Sequence, residues 1–182
     1  MRVTRGTGIF CVVTGALIPV MWVVLFATGQ VTDAAARPVA YAFHLAAETM
    51  TALLLLGAGV AILKRIAYGR RLFYCAGGML FIAAVGMLVV YVIAGYAPFI
   101  ALGALVAGLT VFFLARSRPT VPALVFVALG TILYLELNVL GNLLQRGDST
   151  TGAYVIIAML VTVPVTWMVL KRSLRTRFGT SV

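Results

Sequence analysis

The sequence predicts an all-helical polytopic membrane protein, a bundle of six transmembrane helices with the N and C termini in the cytoplasm. Three observations predict this class. Hydrophobic residues make up 63% of the 182 residues and charged residues only 10%, with a mean hydropathy of +1.14, whereas soluble domains carry about 25% charged residues. Apolar runs of about 20 residues, the length that spans a bilayer, recur along the chain. The basic residues lie mainly in the short segments between these runs.

The charge balance excludes some partners and favours others. Fourteen Lys and Arg against four Asp and Glu give a net charge of +10, which in a soluble protein would suggest nucleic acid binding. Basic residues between apolar runs instead set the orientation of a membrane protein. We therefore expect anionic lipids at the cytoplasmic face as partners, and no nucleic acid. We interpret residues 1–182 as a single integral membrane domain in the cell (inner) membrane.

Six spans are predicted, at about residues 9–28, 39–63, 72–94, 98–115, 121–144 and 153–170. The second begins beside Pro38, where the missing backbone N–H costs nothing. Residues 72–115 carry no charge and would form about 66 Å of helix, twice the thickness of a bilayer core. We place a break at residues 95–98, which combine turn residues with a proline that can start a helix.

The distribution of basic residues predicts the direction of each span. Of the fourteen basic residues, only Arg37 and Arg146 fall in the predicted outer loops. The others all fall on the cytoplasmic side, as the positive-inside rule requires: Arg2, Arg5, Lys64, Arg65, Arg70, Arg71, Arg116, Arg118, Lys171, Arg172, Arg175 and Arg177. A single span over residues 72–115 would reverse everything after it, so this pattern supports the break.

Polar side chains within the spans form the candidate ligand- or proton-binding site: His44, Glu48, Glu136, Asn138, Asn142, Gln145, Tyr41 and Tyr134. His44 and Glu48 are four residues apart and share a helix face. The three amides of the fifth span share a face with Tyr134. Glu136 lies about 200° around the helix from Asn138 and should face a different neighbour.

Depth suggests that these side chains form one cluster. His44 and Glu48 should lie about 8–15 Å below the outer surface, from the helical rise per residue. Asn138 and Asn142 fall at a similar level of the fifth span, which runs in the opposite direction. We therefore predict a polar cluster in the outer half of the bilayer.

The chemistry of the cluster leaves alternatives open. A charged group at mid-membrane costs between about 3 and more than 10 kcal/mol and marks a functional site by default, whereas amides and histidines can also join helices for about 0.6 kcal/mol per hydrogen bond. A histidine–carboxylate pair can pass protons, because histidine changes its charge near neutral pH. It could equally bind a small polar or cationic ligand.

Metal binding and catalysis receive less support from the sequence. One histidine and two carboxylates on two helices lack a metal-ligand spacing, and His44 alone offers a haem at most one axial ligand. The sequence has no Ser/His/Asp set and no HExxH motif. We assign no catalytic or metal-binding residue, and the cofactors stay open.

Small residues recur in the spans and permit close helix approach. Those singled out are Gly57, Gly59, Gly77, Gly78, Gly86, Gly103, Ala107 and Gly108. Packing within the monomer is the plain interpretation, and a face for a second copy or a partner in a membrane complex is the alternative.

The run from Phe43 to Glu48, followed by Thr51, Ala52 and Gly57, resembles small uncharacterised prokaryotic multi-span membrane proteins with an FHxxAE-type second span. The later run from Tyr134, with Asn138, Gly141 and Gln145, is similar to a segment of such proteins. The resemblance implies that the His/Glu pair is a target for mutation and implies no activity.

Three functional hypotheses follow. The first is a non-enzymatic binding or transport protein with a polar pocket in the outer half of the bilayer for a small ligand, ion or proton. The second is an accessory or assembly subunit of a larger membrane complex, in which the polar cluster fixes helix packing. The third, with the least support, is a membrane-embedded enzyme.

Overall fold

The computed structural model describes residues 5–31, 34–95, 97–117 and 120–178, except for the side chains at 94, 98, 121–122, 149, 166–167 and 169–178. In this part of the chain six α-helices follow one another: α1 (Arg5–Ala27), α2 (Pro38–Leu63), α3 (Gly69–Ala94), α4 (Ala97–Arg116), α5 (Val121–Gln145) and α6 (Ser149–Phe178). The predicted positions of Arg2 and Arg118, and of the side chains of Lys171, Arg172, Arg175 and Arg177, lie outside the described residues.

The helix boundaries follow local sequence signals. Pro38 opens α2, as predicted. The predicted break after the third helix is confirmed: α3 ends at Ala94, and Gly95, its C-cap residue, adopts a left-handed conformation (φ 75°, ψ 19°) that glycine reaches without a steric cost. Tyr96, within the predicted break, lies outside the described residues.

Five of the helices, α1 to α5, contain stretches that are long and apolar enough to cross a membrane. In α6 the apolar stretch among the described side chains is shorter, Thr150–Val165. Large apolar side chains cover the outside of the bundle; Ile93 is 83% exposed and Leu160 is 67% exposed. Exposure of this kind is expected where lipid replaces water around the protein.

Three helices form the centre of the bundle. α2, α3 and α5 pack against one another, while α1 packs on α2, α4 on α3 and α6 on α5. The core between them includes Leu55 of α2, Phe73 of α3 and Phe126 of α5. A second, smaller cluster of Ala47, Met79 and Tyr134 joins the same three helices.

Glycines bring the central helices into backbone contact. A Cβ atom at Gly130 of α5 would collide with the carbonyl oxygen of Cys75 in α3, and one at Gly78 of α3 would collide with the carbonyl oxygen of Val127. The Thr131 hydroxyl donates a hydrogen bond of 3.2 Å to the Gly78 carbonyl at the same crossing. These contacts fix how far α5 stands from α3.

Candidate functional site

The α2 side of the candidate site consists of His44 and Glu48. They lie on one face of α2, and Glu48 is buried, with 8% of its surface exposed, whereas His44 is half-buried. The four-residue spacing places one above the other along the helix. Both side chains make hydrogen-bond contacts with α5.

Tyr134 of α5 supplies the partner of Glu48. The tyrosine hydroxyl donates a hydrogen bond of 2.7 Å to Glu48 Oε1. The ring of Tyr134 is itself buried beside Ala47 and Met79. Packing thus holds the phenol in position against the carboxyl group.

Asn138, one turn further along α5, meets His44. Asn138 Oδ1 lies 2.7 Å from His44 Nδ1. The amide nitrogen of Asn138 donates to the backbone carbonyl of Tyr134 at 2.9 Å. The two side-chain pairs are thus joined through α5 itself.

Gln145, at the end of α5, completes the row. Its Oε1 accepts hydrogen bonds from the backbone N–H groups of Val39 at 2.9 Å and of Ala40 at 3.5 Å. Arg37, the N-cap residue of α2, provides no side-chain cap of its own. Gln145 therefore caps α2 from a neighbouring helix, because the first N–H groups of a helix have no partner within it.

These contacts form a row between two antiparallel helices, which we call the polar ladder and define by its side chains: His44, Glu48, Tyr134, Asn138 and Gln145. His44 stands six residues after the start of α2, and Asn138 stands seven residues before the end of α5. At 1.5 Å per residue, both lie about 10 Å from their helix ends. The ladder thus brings together side chains that the sequence places on opposite halves of the chain.

Three predicted site residues lie outside the ladder: Tyr41, Asn142 and Glu136. Asn142 is exposed, and its amide nitrogen donates to the Asn138 carbonyl of its own helix at 2.9 Å. Glu136 points to α6, where the Thr162 hydroxyl donates to its Oε1 at 2.9 Å. Its second oxygen, Oε2, is buried without a hydrogen-bond partner in the described part of the chain.

An aromatic group contacts the ladder from the side of α1. The rings of Trp22 and Tyr41 lie edge-on to the His44 ring, with centroids at 5.7 Å and 6.5 Å, and Trp22 also contacts Tyr41 at 6.1 Å. Sequence reasoning included Tyr41 but missed Trp22. A sequence signal was available, because Trp22 lies near the C-terminal end of α1, which is followed by the start of α2 with Tyr41 and His44.

A metal ion needs several ligand side chains grouped around it. Among the described residues no group of three or more His, Cys, Asp or Glu side chains is placed to hold one. The ladder instead offers two ionisable groups held by neutral hydrogen-bond partners. Such a set can exchange protons or bind a small polar molecule.

The fold and the ladder define a class: an all-helical protein with several helices able to cross a membrane and a polar contact between two of them. The chain belongs to a family described as a domain of unknown function, DUF8058, whose model matches residues 1–115. The match includes His44 and Glu48, while the α5 side of the ladder lies beyond it. No curated protein and no solved structure matches the chain.

Proposed function

We propose that this chain is a six-span, non-enzymatic binding or transport protein of the cell (inner) membrane. Its polar ladder handles a small ligand, an ion or a proton in the outer half of the bilayer. Glu48 is the central group, His44 and Tyr134 are its nearest functional partners, and Asn138 orients the histidine. Tyr41 lies at the edge of the site toward α1.

One observation carries this proposal: Glu48 is buried among helices that are long and apolar enough to cross a membrane, and the hydrogen bond it accepts comes from a neutral phenol. A hydrogen bond between membrane helices contributes about 0.6 kcal/mol on average. Placing a charged group at mid-membrane costs about 3 kcal/mol or more. Helix joining alone would be served at lower cost by glutamine, so the carboxyl group favours a function that uses its proton or charge.

Native mass spectrometry of the protein, extracted from its own membrane in mild detergent, tests this proposal. We expect a monomer or homo-oligomer that retains a small additional mass, and we expect Glu48→Gln to lose that mass while the protein stays folded. The matched control is Asn142→Ala, which removes an exposed polar side chain outside the ladder and should keep the mass. For a proton, which adds no resolvable mass, the probe is proton flux into vesicles followed by an entrapped pH-sensitive dye.

The outcomes separate the alternatives. If Glu48→Gln together with His44→Ala changes neither the retained mass, the proton flux nor the abundance of the protein, the polar site has no function. Loss of abundance in both substitutions, without any bound mass or flux in the wild type, would assign the ladder to helix packing.

The six-span topology with cytoplasmic termini is part of the proposal. α6 has 30 residues, about 45 Å of helix, which is enough to cross a bilayer. The exposed Lys64 and Arg65 in the α2–α3 loop would face anionic lipids of the cytoplasmic leaflet. A cysteine at Ser149 should react with an impermeant thiol reagent in intact cells, and one at Tyr68 should not. Labelling of Tyr68→Cys but not Ser149→Cys would reverse the orientation.

A second candidate function, an accessory subunit of a membrane complex, draws on Glu136. This carboxyl group between α5 and α6 has one oxygen without a partner in the described part of the chain, and α6 packs on α5 at the edge of the bundle. A partner subunit could complete this edge. The same mass spectrum decides: a stable hetero-complex that dissociates in Glu136→Gln would support the subunit role.

A further inference from the structure

Asn138 determines which nitrogen of His44 carries hydrogen. The amide nitrogen of Asn138 is engaged with the Tyr134 carbonyl at 2.9 Å, so the atom that faces His44 Nδ1 at 2.7 Å is the amide oxygen. A carbonyl oxygen only accepts hydrogen bonds. Nδ1 of His44 must therefore be the donor, and the hydrogen-bond network assigns the tautomer.

This assignment leaves Nε2 of the neutral His44 ring as a hydrogen-bond acceptor. In the part of the chain that the structure describes, the contacts of His44 are the Asn138 bond and three ring contacts, none of which is a hydrogen bond to Nε2. The closest of these rings is the Trp22 indole, with centroids 5.7 Å apart at 74°. The His44 and Trp22 rings, which are in contact, therefore carry a hydrogen-bond acceptor and a hydrogen-bond donor.

The Trp22 indole has an unused donor. Its Nε1 is buried and has no hydrogen-bond partner among the described residues. A buried polar group without a partner costs about 1–3 kcal/mol, so this indole N–H, on a ring that contacts the His44 ring, needs an explanation. Tyr41 packs against both rings and adds an aromatic wall at the same place.

We infer that His44 Nε2 and Trp22 Nε1–H together bind one hydroxyl group, that of a small alcohol or phenol. The ligand oxygen accepts from the indole N–H, and the ligand hydroxyl donates to Nε2. A carboxylate has no hydrogen to donate to Nε2, and an ammonium group has no lone pair to accept from the indole. The inference rests on the proposed function, because it takes the ladder as a binding site and names its ligand class. Asn138 acts as a positioning residue.

The tautomer can be observed directly, because His44 is the only histidine in the chain. Nitrogen-15 NMR of histidine-labelled protein in lipid nanodiscs, at alkaline pH where the ring is neutral, distinguishes the protonated nitrogen from the bare one. We expect hydrogen on Nδ1 and a bare Nε2. Asn138→Leu should abolish this preference, Asn138→Asp should keep it, and the matched control Asn142→Leu should leave it unchanged. A wild-type ring with hydrogen on Nε2 would overturn the inference.

The ligand class is tested with phenol as the probe and toluene, which has the same ring without the hydroxyl group, as its control. We expect phenol to shift the Nε2 resonance saturably and toluene to leave it in place. Trp22→Phe should weaken phenol binding roughly 2- to 10-fold, the loss expected for one neutral hydrogen bond. Equal shifts with phenol and toluene would mean partition into the apolar surround, and no shift with either would mean that the pair takes water only. Both results would overturn the hydroxyl site.

Failure of the hydroxyl site can be distinguished from failure of the proposed function. If phenol binds at Nε2 while Glu48→Gln retains the native mass, the hydroxyl site stands and the assigned role of Glu48 fails. If Glu48→Gln loses the native mass while phenol does not shift Nε2, the proposed function stands and the ligand belongs to another chemical class.

Discussion

Substitution of Gly130 by alanine tests the closest helix contact in the bundle. The added Cβ atom would collide with the Cys75 carbonyl of α3. Because the colliding atom belongs to a helix backbone, no side-chain rotation relieves the overlap, and the two helices must move apart. The hydrogen bond of 3.2 Å from Thr131 to Gly78 lies at the same crossing and would lengthen with it. We therefore expect Gly130→Ala to destabilise the protein.

A matched control isolates the size of this effect. Gly86 of α3 has no atom within 4 Å of an added Cβ, so Gly86→Ala carries the same gain in helix propensity, up to about 1 kcal/mol, without a collision. Overpacking of a close contact costs about 1–3 kcal/mol. Gly130→Ala should thus be less stable than Gly86→Ala by about 1–3 kcal/mol, which is a change of about 5- to 150-fold in the unfolding equilibrium constant.

Reversible unfolding in mixed micelles of a mild detergent and sodium dodecyl sulfate measures this difference. The free energy of unfolding is compared among the wild type, Gly86→Ala and Gly130→Ala at equal detergent composition. If the two variants are equally stable, α3 and α5 do not touch at this position, and the distance between the central helices has been misjudged.

Three further predictions concern the ends of helices, each measured by the same unfolding experiment. Gln145→Ala should lose about 0.5–2 kcal/mol, the usual value of a helix cap, while Asn142→Ala should stay within about 0.5 kcal/mol of the wild type. The pKa of Asp148 lies below its usual value because the backbone N–H of Thr151, and then its side chain, donate hydrogen bonds to the carboxylate. Ionised Asp148 therefore stabilises the protein above about pH 4, the usual pKa of aspartate, and this stabilisation is lost as the pH falls through the lowered pKa. Asp148→Asn should show a smaller decline in the free energy of unfolding in acid. Arg65 is a non-glycine residue with φ 59°, so Arg65→Gly should raise the free energy of unfolding by about 0.5–1 kcal/mol. No gain would mean that the arginine side chain offsets the backbone strain.

Local patterns were sufficient to predict the individual helices. The uncharged stretch between α3 and α4 was too long for one span, and the turn at Gly95 lies where the composition placed it. The spacing of His44 and Glu48 predicted a shared face, because helical periodicity depends only on neighbours along the chain. The prediction that Asn138 lies beside His44 and Glu48 followed from the same rise per residue and from the opposite direction of α5.

Pairing between helices could not be predicted in the same way. Periodicity predicted that Glu136 faces a different neighbour from Asn138, and Glu136 indeed contacts Thr162 of α6. The sequence did not identify α6 as that neighbour, nor Tyr134 as the partner of Glu48. Periodicity gives the direction of a side chain around its own helix but not the neighbour in that direction. Trp22 was missed for the same reason, since its importance comes only from contact with α2.

Small residues show the same limit. Gly78 lies at a backbone crossing, and Gly59 of α2 faces the Gly8 carbonyl of α1, 2.8 Å from where its Cβ would stand. Gly86 and Gly108, chosen on the same grounds, have open space beside them. Gly130 was not singled out, although its contact is the closest. A glycine in the sequence permits close approach, but the packing of the whole bundle decides where it is used.

The register between α2 and α5 explains why packing and chemistry meet in the same residues. A step of four residues from His44 to Glu48 is matched by a step of four back along α5, from Asn138 to Tyr134, and both steps cover about 6 Å. Gly141 lets α5 approach the Phe43 side chain closely, with 2.5 Å to the position of an added Cβ, so the two helices pack tightly beside the ladder. The polar groups are therefore held at hydrogen-bonding distance by apolar contacts on the same two helices. Any change that shifts α5 should therefore disturb the ladder even where it touches none of the ladder side chains, and the ligand binding proposed above would cost little conformational entropy at a site held in this way.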